Sequence, residues 1–254
     1  MDKIAIVTGA SEGIGKAISI KLASIGYNII LNNRFEEKTL ELAEYIRNTY
    51  RVNVHISIFD VTKKQEVESA VEGLPEEWRA IDVLVNNAGT VLGYGPIHEG
   101  DTDDWDTMID TNVKGLLYVT RAIAPMMMKR KKGHIVNMAS IAGKEPYLNG
   151  NVYCGTKAAI DVLSKSMRID LAPFVKVSSI HPGTVETGIS VVRFKGDTER
   201  AKKVYEGWTP LKPEDVAESV AFMINTPAHV NVNELVLMAT DQPTSYIFHK
   251  QLPE

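Results

Sequence analysis

The chain has 254 residues, 44% apolar and 24% charged, with a formal net charge of -4 and an isoelectric point near 5.9. No apolar run approaches the ~18 residues that span a bilayer, and the acidic balance leaves no electrostatic footprint for nucleic acid. A single cysteine, Cys154, excludes an internal disulfide and a cysteine-cluster metal site; it suits a reducing compartment, so a soluble cytoplasmic protein is expected.

The chain opens on a β-branched run, Ile4 to Val7, with no basic segment and apolar core of the kind that marks a secretion signal. Thr8-Gly9-Ala10-Ser11-Glu12-Gly13-Ile14-Gly15 follows directly and enters a helix pattern carried by Ile14, Ala17, Ile18, Leu22 and Ala23. Strand, glycine turn and helix together let bare backbone approach a pyrophosphate and aim helix N-terminal N–H groups at it. By itself the Gly-x-x-x-Gly-x-Gly spacing is also that of a plain glycine turn.

A second strand, Tyr27 to Leu31, ends at Asn32-Asn33-Arg34, and an amphipathic helix spans about Glu36 to Tyr50. At this strand end an acidic residue would bind a ribose 2'-hydroxyl, whereas an arginine accommodates a 2'-phosphate. Neutral Asn33 and basic Arg34 therefore point to NADP, and Glu12 in the glycine turn argues weakly the other way. Val52 to Ile58 reads as a third strand, with Asp60-Val61 just beyond it, where a carboxylate can accept from an adenine amino group.

A helix from about Lys63 to Gly73 and a fourth strand, Ile81 to Val85, lead to Asn86-Asn87-Ala88-Gly89, small residues and amides suited to close approach by a ligand. A long helix is expected from about Asp103 to Lys129, bent near Pro125. Asn112 lies inside it, where an amide faces solvent or packing unless a helix irregularity turns it toward a site. The basic run Lys129 to Lys132 reads as a solvated helix C-terminus.

The fifth strand, Gly133 to Met138, is followed by Ser140, and a loop from Ile141 to Gly150 separates it from Tyr153-Cys154-Gly155-Thr156-Lys157. On a helix, a four-residue step puts Tyr153 and Lys157 on one face, and an ammonium there favours the phenolate of a side chain that otherwise ionises near pH ~10. Such a pair moves a proton, although a tyrosine and a lysine at this spacing also occur as an ordinary surface pair. A sixth strand, Val175 to Ile180, runs into His181-Pro182-Gly183-Thr184-Val185-Glu186-Thr187, with His181 read as a packing residue. The polar segment from Gly188 to Pro210 reads as a mobile lid, before a helix from about Pro213 to Asn225, a last strand, Val232 to Met238, and a tail. Strands alternating with helices imply right-handed crossovers and a parallel sheet covered on both faces, in one domain over residues 1–254.

Taken together, Thr8-Gly9-x-x-x-Gly13-x-Gly15, Asn86-Asn87-Ala88-Gly89, Asn112, Ser140, Tyr153-x-x-x-Lys157 and Pro182-Gly183 resemble the short-chain dehydrogenase/reductase family across essentially the whole chain. The segments Asp106 to Tyr118, Val192 to Asp197 and Pro227 to Asn233 are similar to its branch of NADP-dependent 3-hydroxy acid dehydrogenases, which act on serine, allo-threonine and related acids. The resemblance implies a doubly wound parallel sheet of the Rossmann type. It also implies a catalytic set of Asn112, Ser140, Tyr153 and Lys157, in which Asn112 anchors a water linking Lys157 to solvent and Lys157 also holds the nicotinamide ribose.

Gly9, Ser11, Gly13, Ile14 and Gly15 would hold the pyrophosphate end, Arg34 the 2'-phosphate, Asp60 and Val61 the adenine. Asn87, Ala88, Gly89, Pro182, Gly183, Val185 and Thr187 would line the rest of the cofactor, the last two at its carboxamide. The expected activity is hydride transfer between NADP and the hydroxyl of a short hydroxy acid, with Tyr153 as base, Ser140 donating to the reacting oxygen and no metal in any step. Arg193 in the lid is the candidate to hold the substrate carboxylate, with Lys195 second. The competing readings are an NADPH-dependent carbonyl or 3-oxoacyl reductase, and a nucleotide sensor without turnover, which the complete Ser140, Tyr153 and Lys157 set disfavours. The family commonly forms homotetramers through the helices holding Asn112 and Tyr153; apolar Ala158, Ile160 and Val162 fit that assembly or the core equally.

Overall fold

The computed structural model describes residues 3–251. Seven parallel strands form one sheet: β1 (Lys3–Thr8), β2 (Tyr27–Asn33), β3 (Val54–Ile58), β4 (Ile81–Asn86), β5 (Gly133–Met138), β6 (Val175–Pro182) and β7 (Glu234–Leu237), in the order β3-β2-β1-β4-β5-β6-β7. The order reverses between β1 and β4. A crevice therefore opens beyond the carboxyl ends of those two strands, where the connecting helices depart to opposite faces.

The two-residue period of the strands sorts their side chains into two cores. Ala5 and Val7 of β1 and Ile29 and Leu31 of β2 pack with Ile18 and Leu22 of α1 (Gly13–Ser24), beside Leu42 and Ile46 of α2 (Glu36–Tyr50). Ile4, Ile6 and Ile30 point the other way, toward Val67 of α3 (Lys64–Glu72) and Ile123 and Met127 of the long helix. Near-continuous apolar runs in these strands follow from burial on both faces.

The long helix begins with α4 (Thr102–Ile109), passes through a π-helical segment at Asp110–Gly115, and continues as α5 (Leu116–Arg130). Pro125 lies inside α5, and the irregular stretch precedes it, around Asn112. The basic residues at the end of α5 are not merely solvated: Arg130 and Lys132 pair with Asp82 at 2.7 and 2.8 Å. α6 (Asn151–Leu171) carries Tyr153 and Lys157, and α9 (Pro213–Ile224) covers the α1 side of the sheet.

The segment 188–210 contains two short helices, α7 (Ile189–Arg193) and α8 (Thr198–Lys203), so it is more ordered than its weak periodicity suggests. Its second half is strapped by the chain's tail. Phe248 lies on Trp208 with ring centroids 4.9 Å apart, and the Gln251 amide donates to the Gly207 carbonyl at 2.6 Å. Two outer strands are shorter than expected, β3 starting at Val54 and β7 at Glu234. Strand-forming side chains at Val52 and Val232 extend past the last partner in the ladder.

Candidate active site

One cavity of about 880 Å³ runs from the β2 end to the lid, lined by the glycine turn, Arg34, Asp60, Ser140, Tyr153, Lys157 and Arg193 among others. The glycine turn owes its shape to backbone that other residues rarely adopt: Gly9 and Gly13 have φ of 62° and 51°. A Cβ on Gly15 would collide with the Gly9 carbonyl and the Asn87 amide, and one on Gly13 would touch Thr187 at 3.5 Å. The turn therefore packs directly against the ends of β4 and β6, and its glycines offer bare backbone to the cavity beside Glu12 and Ile14.

Thr8, which opens the glycine motif, ties two strand ends together. Its hydroxyl accepts from the Asn87 and Ala88 amides, both at 3.0 Å, while the Asn87 side chain donates to the Thr8 and Gly9 carbonyls at 2.9 and 3.2 Å. At the β2 end, the Asn33 side chain donates to the Ser11 hydroxyl and accepts from the Arg34 amide at 2.6 Å. The Arg34 guanidinium stacks on Phe35 at 4.8 Å and is exposed at the cavity edge. Glu12 is paired with Lys38 at 3.0 Å, which offsets the negative charge that argued against a 2'-phosphate there. Asp60 accepts from both the amide and the hydroxyl of Thr62 at 2.9 Å, and Val61 is buried against Gly115 of the π segment.

The four residues of the expected catalytic set converge from three elements: the π segment, the turn after β5, and α6, which carries both Tyr153 and Lys157. Asn112 is fully buried; its oxygen accepts from the Thr90 amide at 2.7 Å, and its amide donates to the Thr90 carbonyl at 2.9 Å and the Thr156 hydroxyl at 3.0 Å. The π segment turns it inward, because one extra residue in a helical turn rotates the side chains that follow. Gly89 lies close to both Asn112 and Lys157: a Cβ there would make a tight 3.2 Å contact with the Asn112 oxygen and lie 3.5 Å from the Lys157 ammonium. Lys157 donates to the Met138 carbonyl at 2.8 Å, and burial pushes it down to about 8.

Ser140 stands within hydrogen-bond reach of Tyr153. Burial pushes the phenol up, opposed by the Ser140 hydroxyl and by the positive charge of Arg193. The expected depression of this phenol by Lys157 is therefore not what the arrangement gives. The Lys157 ammonium is tied to the β5 end and lies 5.9 Å from the centre of the Tyr153 ring, and burial dominates.

Arg193 reaches into the same cavity between two aromatic rings, 4.9 Å from Tyr94 and 5.2 Å from Tyr147. Two of its nitrogens, Nε and Nη2, are buried without a hydrogen-bond partner. Lys195, the second candidate, is engaged elsewhere, with Asp101 and Asp104 each at 3.0 Å. Two residues apart on a short helix and the turn after it, the two cations face different surroundings.

His181 is fully buried, 2.9 Å from the Ser179 hydroxyl, and burial lowers it, in keeping with a packing role. Pro182 ends β6, and Gly183 and Thr184 meet Gln242 of the tail, whose oxygen accepts from the Thr184 amide at 2.8 Å. Val185 bridges to Leu211, and Thr187 accepts from the Tyr205 hydroxyl at 3.2 Å. Tyr94, Tyr147, Tyr205 and Gln242 were missed in the sequence because no spacing ties them to the motifs; only the loops that carry them bring them in.

Over residues 3–197 the chain matches the family described as short chain dehydrogenase. It belongs to that family. It is 44% identical to the NADP-dependent 3-hydroxy acid dehydrogenase YdfG of Escherichia coli K12, over 94% of this chain and 96% of that protein. It is 41% identical to sulfoacetaldehyde reductase 2 of Chromohalobacter salexigens, over 96% and 97%. Among solved structures, the closed form of serine dehydrogenase complexed with NADP+ is 42% identical, with a TM-score of 0.90 and coverage of 96% of this chain and 98% of that one.

Proposed function

We propose that this chain is an NADP-dependent dehydrogenase of short 3-hydroxy acids, of the serine, L-allo-threonine and 3-hydroxyisobutyrate type. The observation that carries the substrate class is Arg193. A guanidinium held between two rings, with two unpartnered buried nitrogens in the cavity that also holds Ser140 and Tyr153, is built to receive a carboxylate by charge-assisted hydrogen bonds. Similarity to an NADP-dependent 3-hydroxy acid dehydrogenase and to serine dehydrogenase supports it.

The residues present fit the nucleotide. Gly9, Gly13 and Gly15 line the cavity with no side chains of their own, and Arg34 supplies a cation at its edge. Gly9, Ser11, Gly13, Ile14 and Gly15 would hold the pyrophosphate, Arg34 the 2'-phosphate, Asp60 and Val61 the adenine. Asn87, Ala88, Gly89, Pro182, Gly183, Val185 and Thr187 would line the remainder. Bound NADP supplies the hydride acceptor, and NADPH the donor.

The protein's part is proton movement and positioning. In oxidation the Tyr153 phenolate takes the substrate hydroxyl proton; in reduction the phenol returns it to the nascent alkoxide. Ser140 donates to the reacting oxygen as charge develops on it. Lys157 keeps positive charge near the phenol and would hold the cofactor ribose. Asn112 would anchor the water through which Lys157 exchanges its proton with solvent.

The reductive direction has its own support. Burial raises the Tyr153 phenol, which favours the protonated form that acts as acid, and one relative is named a reductase. Assembly as a homotetramer through α5 and α6 is supported by Val162 and Ile169, 61% and 78% exposed on α6, whereas Ile160 belongs to the core. Among the described residues no helix is long and apolar enough to cross a membrane, and a lone cysteine suits the cytoplasm, where we place the reaction.

The test is nicotinamide absorbance with NADP or NAD and a panel of serine, allo-threonine, 3-hydroxyisobutyrate and simple alcohols. Reduction of NADP by the hydroxy acids is expected. Silence with the acids, together with oxidation of NADPH by ketones or 3-oxoacyl thioesters, would replace this reading with a carbonyl reductase.

A further inference from the structure

Five ionisable side chains cluster behind Ser140, and none of them lines the cavity. Asp161 is on α6, one four-residue step beyond Lys157 and two beyond Tyr153, so all three share a helix face. Its Oδ2 accepts from Lys144 and Lys165 at 3.3 and 3.1 Å, and Glu234 of β7 takes the same two lysines at 2.8 and 3.2 Å. Lys144 and Lys165 in turn hold the Glu234 carboxyl down to about 2. His181 of β6 completes the group, 3.6 Å from Asp161 Oδ1 and 3.4 Å from the Ser140 carbonyl.

Two ammonium groups already balance two carboxylates, so this is a network of ion pairs, and a divalent cation would have to displace both lysines. Because a carbonyl only accepts, the imidazole proton facing Ser140 belongs on Nδ1; Nε2 then accepts from Ser179 and has no donor to offer Asp161. Asp161 Oδ1 is in fact buried without a donor. An unsatisfied buried carboxylate oxygen is costly, so stability alone is a poor reason for this residue.

Its geometry relative to Ser140 supplies a better one. Ser140 opens a single 3-10 turn, Ile141–Gly143, and Lys144 follows immediately. A Cβ on Gly143 would come within 2.6 Å of the Lys157 carbonyl, so the turn is seated directly on α6. The anchors of the Ser140 hydroxyl itself are slight, the Ala142 amide at 3.1 Å and the Pro182 carbonyl at 3.5 Å. Lys144, paired with Asp161, adds a charged tie between the turn and the helix.

We propose that Asp161 is a positioning residue for Ser140: by holding Lys144 it fixes the Ser140–Gly143 turn to the helix face that carries Tyr153 and Lys157. The serine and the tyrosine come from different elements, and a misplacement of about 1 Å between reacting groups costs on the order of 100-fold in rate. An ion pair between the turn and the helix keeps that distance set. The inference needs the Ser140–Tyr153 contact and does not depend on which hydroxy acid is the substrate.

The experiment compares Asp161→Asn, Lys144→Met, the double variant and Asp161→Glu in the intact enzyme. It follows kcat, NADP affinity and ionisation of Tyr153, the last by ultraviolet difference absorbance against a Tyr153→Phe counterpart of each variant, which requires no substrate. Each single variant is expected to lower kcat about tenfold, leave NADP affinity unchanged and move Tyr153 ionisation to higher pH, since a serine donor favours the phenolate. The double variant should be no worse than either single one, and Asp161→Glu should recover most of the loss.

Unchanged Tyr153 ionisation, fully additive losses, or a fall in kcat that only follows the melting temperature would overturn the proposal. Should Asp161→Asn fail to fold, Lys144→Met decides, because it removes the same tie from a partly exposed side chain. An inactive wild type would count against the hydroxy acid reading, while the absorbance measurement would still judge this one.

Discussion

The nucleotide end of the cavity and its substrate end are built on opposite plans. Around Gly9 to Gly15 the surface is bare backbone, locked by short-range contacts with strand ends through Thr8, Asn33 and Asn87. Around Arg193 it is long side chains from separate loops, with Tyr94, Tyr147 and Arg193 stacked across gaps of about 5 Å. Backbone can cradle a group common to every reaction of the family, whereas side chains on loops can change with the substrate without disturbing the sheet. Damage at the first end should therefore strike cofactor binding and folding together, and damage at the second should strike substrate alone.

The largest expected effect belongs to the residue between the two ends. Tyr153→Phe should lower turnover by about 10³-fold while NADP affinity, measured by fluorescence titration, stays within twofold; appreciable residual turnover would mean that another group moves the proton.

Next come the substitutions that separate the ends. Gly15→Ala should weaken NADP binding beyond detection and lower the melting temperature, because its Cβ meets backbone that cannot step aside. Arg193→Ala should raise KM for serine by about 100-fold, on the scale of a lost buried charge pair, with the melting temperature and NADP affinity kept. An unchanged KM would remove Arg193 from the substrate site.

A subtler test exchanges cofactor preference at the β2 end: Asn33→Asp with Arg34→Ala should shift the ratio of NADP to NAD efficiency by about tenfold or more toward NAD. No change would show that a 2'-phosphate is read elsewhere. The smallest effects should appear in the pH profile. Burial raises the Tyr153 phenol above its ordinary value, so the phenolate fraction, and with it oxidation, should climb as pH rises through the alkaline range. Reduction, which needs the phenol, should hold through neutral pH and fall across that same alkaline range. Oxidation that is flat from neutral to alkaline pH would contradict the base.

The same contrast explains what the sequence disclosed. β1, the glycine turn and α1 follow one another without interruption, so local pattern sufficed to locate them. Asn112 was legible as a position but its inward turn was not, because the π segment comes from a helix fitting itself to Val61 and Thr90 rather than from residue preference. Arg193 and Lys195 looked alike as lid cations until Asp101 and Asp104 took one of them. Glu12 looked adverse to a phosphate until α2 brought Lys38 beside it.

By itself the sequence determined the alternation of strands and helices and the parallel sheet, since these rest on periodicity along the chain, and it offered the Ser140, Tyr153 and Lys157 set through resemblance to the family. Only the tertiary structure decided that burial raises the Tyr153 phenol, that two buried nitrogens of Arg193 are left without a partner in the cavity, and that Lys144 and Asp161 join the Ser140 turn to α6. Those properties are electrostatic and steric. They depend on which groups lie within a few ångströms in space, and contacts between residues far apart in sequence leave no periodic trace along the chain.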